Sequence, residues 1–107
     1  MNSKQIFLAA FALISDPAHW TKGAHARNAL DKSVDVYDTT ACKFCSAGAI
    51  YRVMRLNLPE RSNVLTALNE QVRRMYDAQI ITQVNDRFPH AQVLDVWRKA
   101  GEAQGWI

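Results

Sequence analysis

A mainly α fold, four helices with a small β-ribbon between the first two, is what the sequence predicts, and three observations carry that expectation. Apolar residues recur every three or four positions through residues 59–76 and again through 89–100, the spacing that gathers them on one side of a helix. Nine consecutive apolar residues run from Ile6 to Ile14, too continuous for a strand with one wet face. About 22 residues between the first two helical stretches show no helical period at all. With 107 residues, 49% of them hydrophobic and 21% charged, the chain has material for one core, so one helical domain over residues 1–107 is expected.

Taken in order, the first helix is expected over about residues 4–15, capped at Ser3 and stopped by Asp16 before Pro17, because proline drives its predecessor out of the helical region. Its nearly uniform apolarity places it centrally. The ribbon is expected from Ala24–Ala29 and Ser33–Tyr37, with Asp31-Lys32 at the turn and Val34 and Val36 alternating. The second helix is expected to open near Asp38 or Thr39, whose side chains can accept from first-turn amides, and to run to about Leu56. Its inner stripe reads Ala41, Phe44, Cys45, Gly48, Ala49 and Met54. Small residues at its middle imply that another backbone comes close at Gly48, so leucine there overpacks the core. The third helix follows Pro59 to about Tyr76, burying Val64, Leu65, Leu68, Val72 and Met75. The fourth begins near Pro89, turns Val93, Leu94, Trp97 and Ala100 inward, and frays through Gly101 and Gly105. Between them, Ile80–Val84 is β-prone and reads as a third strand or an extended connection.

The nine-residue apolar run is well short of the roughly 20 residues that span a bilayer, and no small-residue cleavage site follows it. Two cysteines make no disulfide framework. A cytoplasmic protein without a membrane partner is therefore expected. Thirteen basic residues against ten acidic ones give a net charge of +3, too mild to announce a nucleic-acid binder. The excess is local: residues 39–75 hold six basic and two acidic side chains. Arg52, Arg55, Arg61, Arg73 and Arg74 form a candidate basic face on helices two and three, suited to an acidic protein surface or to phosphates. Aromatic residues are not interleaved with these arginines along the chain, which disfavours single-strand stacking.

Candidate chemistry is sparse. Cys42-Lys43-Phe44-Cys45 is read within the opening turns of the second helix, where amide dipoles lower a thiol pKa, yet no βαβ context precedes it for a redox site. Cys45 as nucleophile with His25 as base and Asp86 or Asn85 as orienting group has the residue types of a triad. His19, His25, Cys42 and Cys45, with His90 as a further ligand type, are candidates for zinc, but their order and spacing match no standard knuckle. No cofactor motif is visible. Asn85 and Asp86 also suit the plainer work of capping turn and helix-start amides before Pro89.

Trp20-Thr-Lys-Gly23-Ala-His-Ala-Arg27, Cys45-Ser-Ala-Gly48-Ala49 and Asn85-Asp86, in that order, resemble a family of small uncharacterised bacterial, especially actinobacterial, and phage proteins. Its members carry W-x-x-G-A-x-A-R, then W-C-x-x-G-A on a helix, then W-N-D before a last helix. Members often have Trp where this chain has Phe44 and Val84, and a glycine-containing turn where it has Asp31 and Lys32; Cys42 lies outside the pattern. The resemblance brings no activity with it. It implies that Trp20, Gly23, Arg27, Cys45, Gly48, Asn85 and Asp86 meet in one place as a structural cluster or pocket, with Arg27 paired to Asp86 or to a ligand anion. The preferred function is an accessory protein, phage-borne or bacterial, that binds a protein partner through the basic face. The alternatives are a small thiol enzyme or ligand-binding protein using Cys45 with the Trp20, Asn85 and Asp86 cluster, and a weak nucleic-acid binder.

Overall fold

The chain begins with a reciprocal cap. Asn2 Oδ1 accepts from Gln5 N and Gln5 Oε1 accepts from Asn2 N, both at 2.8 Å, which satisfies the exposed amides of helix α1, Ser3–Ser15. The cap is thus one residue earlier than expected; Ser3 is already helical and its hydroxyl donates to Glu60 O. Asp16 ends α1 and its carboxylate accepts from Ala18 N at 2.9 Å, opening a short 3-10 turn over Pro17–His19. Only the stripe Ile6, Phe7, Ala10 and Ile14 is fully buried, while Leu8 on the far side is 37% exposed. This computed structural model describes residues 1–107.

Two strands of two residues follow, β1 (Ala26–Arg27) and β2 (Lys43–Phe44), paired antiparallel with Ala26 opposite Phe44 and Arg27 opposite Lys43. The expected hairpin is present only in outline: Arg27 bridges Ser33, Val34 N donates to Ala26 O, and Asn28 and Lys32 close the turn. Asp31 takes φ +64° there, a left-handed conformation that aspartate tolerates better than most residues. The stronger partner of β1 comes from later in the chain, so residues 43–44 are taken into the sheet.

That pairing corrects the expected start of the second helix. Helix α2 covers Ser46–Val53 with Cys45 as its cap, not a stretch opening at Asp38. Asp38 does accept from the Thr40 hydroxyl (2.6 Å) and amide (2.8 Å), but it closes an isolated turn. Those two bonds, with Arg52 nearby, hold its carboxyl below the usual range. Local cap chemistry was legible; the sheet pairing that overrides it is a contact made across the chain.

Helix α3 (Pro59–Met75) buries Val64, Leu68 and Val72 as expected, with Leu65 and Met75 half-buried at the edge. The β-prone segment after it is a fifth helix rather than a strand: α4, Ile81–Arg87. Asn69 Oδ1 on α3 accepts from Ile81 N at 2.8 Å, and Gln83 Oε1 accepts from Gln79 N and Ile80 N. With its first amides answered by side chains and Ile81, Val84 and Asn85 buried on one side, the helix wins over the local β preference. Helix α5 (His90–Gln104) ends at Gly105 in the left-handed region, φ +72°. Gly101 does not fray. It is buried inside α5, where a Cβ would sit 2.8 Å from the Phe7 ring. Nineteen residues form one apolar cluster, centred on α1, which packs against α2, α3 and α5. No helix is long and apolar enough to cross a membrane.

Candidate functional site

The Trp20 loop, the start of α2 and α4 meet at Asn85, which is fully buried. Asn85 Oδ1 accepts from Trp20 Nε1 (2.9 Å), Ser46 N (3.0 Å) and Ser46 Oγ (2.9 Å), and Nδ2 donates to Thr21 O (3.0 Å). The Ser46 hydroxyl in turn accepts from Trp97 Nε1 at 3.0 Å. One amide therefore joins loop, α2 and α4, and through Ser46 reaches α5. Every buried side-chain polar atom has a partner, as such networks require if they are not to destabilise the core. Gly48 makes the close approach expected of it. A Cβ there collides with the His25 carbonyl oxygen and stands 2.8 Å from its carbon, while Cys45 N donates to that same oxygen.

Beside this corner lies a cleft of about 310 Å³ lined by Gly23, Ala24, His25, Cys45, Thr82 and Asp86. Cys45, His25 and Asp86 thus share one recess. The thiol is not activated: Cys45 is 2% exposed, and burial pushes its pKa up, outweighing the hydrogen bond from Gly48 N (3.2 Å) that favours the thiolate. The expected lowering from a helix N-terminus is overturned by desolvation. No hydrogen bond joins the Cys45 thiol to the His25 ring, which meets Tyr51 edge-on instead.

The Arg27–Asp86 pair is absent. Arg27 donates to Asp31 O and Lys22 O, and Asp86 Oδ1 accepts from Gly23 N at 3.0 Å and from Asn85 Nδ2 at 3.4 Å. Gly23, at φ +79°, turns its amide to the carboxylate and does there what the guanidinium was expected to do. The zinc set divides as well. His25 and Cys45 line the first cleft, while His19 and Cys42 line another with Leu13 and Arg52, and His90 is bound to Ile14 O (2.7 Å) and packed on Trp20. No three His, Cys, Asp or Glu side chains stand together as metal ligands. The same division parts the two thiols of the C-K-F-C segment, which β2 extends so that they open into different clefts.

The five arginines do not form one face. Arg61 and the Arg73-Arg74 pair are twelve and thirteen positions apart on α3, roughly 18 Å along the axis and turned well away around it. Arg73 donates to Gln79 O, closing the turn after α3, and Arg74 is exposed. The other three gather near the end of α2. Arg52 donates to Val36 O (2.7 Å) and Asp38 O, and Arg61 to Met54 O and Arg55 O. Arg55 lies over the Tyr37 ring at 4.6 Å, Arg61 over Tyr51 at 4.9 Å and Arg52 over Phe44 at 5.8 Å. Aromatic rings are thus interleaved with these arginines in space, though not along the chain. Between Arg55 and Arg61 the connection exposes Leu56 (64%) and Leu58 (40%).

The model of a family of unknown function, DUF6197, matches residues 1–103. The chain belongs to DUF6197. No curated protein and no solved structure gives a significant match. In this DUF6197 chain, sequence reasoning missed Ser46, Thr82, Tyr37 and Tyr51. Only Ser46 left a signal, a hydroxyl within a run of small buried residues that has to find a partner.

Proposed function

We propose that this DUF6197 protein is a small non-enzymatic binding protein that docks an acidic protein partner on the ridge formed by Arg52, Arg55 and Arg61. One observation carries the reading: Leu56 and Leu58 stand exposed in the connection from Arg55 to Arg61, whose guanidiniums are each laid on a tyrosine ring. Apolar side chains offered to solvent inside a charged rim are the pattern of a protein contact. Arginines already held on aromatic faces lose less freedom on binding. Cations attract any anion, but the leucines favour a folded acidic surface over a phosphate backbone, which has nothing apolar to cover them. A thiol enzyme finds less support, because Cys45 is buried with its pKa raised and its thiol has no bond to the His25 ring. A cytoplasmic location and a bacterial or phage origin belong to the same proposal; the free thiols of Cys42 and Cys45 fit a reducing compartment.

The test is quantitative capture from nuclease-treated host extract with wild type, Arg55→Glu and Leu56→Glu side by side. The expected result is a specific set of proteins retained by wild type and reduced roughly tenfold by either variant, with unchanged melting temperature. Equal capture by all three sinks the reading, and capture seen only when the nuclease is omitted transfers it to nucleic acid.

A further inference from the structure

The cleft beside the Asn85 corner is separate from the arginine ridge and has a different chemistry. Asp86 is its only formally charged lining residue apart from the titratable His25 and Cys45. Both hydrogen bonds to the Asp86 carboxylate, from Gly23 N and Asn85 Nδ2, fall on Oδ1, leaving Oδ2 with no donor. No lysine or arginine nitrogen lies within 4.0 Å of this carboxylate, whereas Asp31 and Asp95 each have such a partner. Asp86 is therefore an exposed carboxylate held in place by a main-chain amide and a buried side chain, with one oxygen free of protein donors, at the rim of a recess.

We propose that this cleft binds a small organic cation, an alkylammonium or guanidinium group on a short chain, with Asp86 Oδ2 accepting its N–H donors. The recess, about 310 Å³, lies at the lower end of the roughly 300–1,000 Å³ typical of small-molecule sites, which suits a metabolite rather than a peptide. The Thr82 hydroxyl and His25 ring add hydrogen-bonding groups on the walls. The buried Cys45 thiol adds an uncharged patch of low polarity to the lining, against which a short alkyl chain can pack. After burial, the Asp86 charge also helps to raise the Cys45 pKa, so the two groups face each other across the recess closely enough to interact. The Gly23 and Asn85 bonds fix the carboxylate before a ligand arrives, which lowers the ordering cost of binding. The Arg27 guanidinium, 3.5 Å from where a Cβ on Gly23 would stand, is spent on Asp31 O and Lys22 O, so a dicarboxylate or phosphate meets the Asp86 charge first.

The experiment is titration of the ¹⁵N-labelled full chain with agmatine, and in parallel with succinate and inorganic phosphate at constant ionic strength. Saturable shifts of the Gly23, Ala24, His25, Thr82 and Asp86 amides are expected with agmatine and not with either anion. Asp86→Asn keeps an oxygen for Gly23 N, and so the fold, but should weaken agmatine binding roughly tenfold; Thr82→Val should weaken it severalfold, with no change in melting temperature for either. An equal response to succinate, affinity unaltered in a folded Asp86→Asn protein, or no saturable shift up to about 10 mM agmatine overturns the proposal. The arginine ridge takes no part in this measurement, so its outcome is independent of the partner-binding reading.

Discussion

At the Asn85 corner every polar atom is answered from within the chain, whereas on the ridge after α2 the guanidiniums are answered on one side only and leucines stand open beside them. The corner spends its hydrogen-bonding capacity on tying α2, α4, α5 and the Trp20 loop together. The ridge uses carbonyls and aromatic faces to hold arginines still, with no carboxylate in salt-bridge contact and Leu56 and Leu58 left exposed. Polar residues that look alike in a sequence thus divide into those that specify the fold and those left for an encounter, and burial makes the division.

The sharpest break of that comparison is Gly48→Leu. With the His25 carbonyl where a side chain must go, a loss of roughly 4 kcal/mol or more is expected, seen as an insoluble protein or a collapsed melting transition. Asn85→Leu comes next. It leaves Ser46 N and Trp20 Nε1 without an acceptor in the core, for a loss of about 3 kcal/mol by chemical denaturation, where Arg55→Glu on the ridge should stay within about 0.5 kcal/mol of wild type. Asp86→Ala should cost about 1 kcal/mol through the Gly23 amide. Because Arg27 does not touch Asp86, its effect should add to that of Arg27→Ala within about 0.5 kcal/mol; strong coupling in that cycle would restore the ion pair.

The smallest effect is in pH. Burial raises the Cys45 pKa in the folded state above its unfolded value. The folded state therefore holds its proton longer, and the stability from keeping the thiol neutral is complete below the unfolded value and lost as pH rises through the folded one. Melting temperature should decline above about pH 8.5, and Cys45→Ser should flatten that decline while Cys42→Ser leaves it in place.

Much of the fold was legible because it is written locally: the period of α3, the stop at Asp16-Pro17, the small residues around Gly48. The convergence of Trp20, Cys45, Gly48, Asn85 and Asp86 was expected from the resemblance, but the bonds that achieve it were not. Ser46 is the hub's second member, and Gly23 N, not Arg27, meets Asp86. What stayed hidden is long-range. The claim of β1 on residues 43–44 shortened α2, and side-chain caps from Asn69 and Gln83 turned a β-prone stretch into α4. Tyr37 and Tyr51 come from different segments, so their stacking with Arg55 and Arg61 leaves no mark in the order of residues.

At Gly48 main chain rests on main chain, with no rotamer between loop and helix to absorb a displacement. Breathing of residues 23–25 must then carry the first turn of α2 with it, so floor and rim of the cleft travel as one piece. Amide exchange at Cys45, whose N–H is bonded to His25 O, becomes a gauge of how often that recess opens.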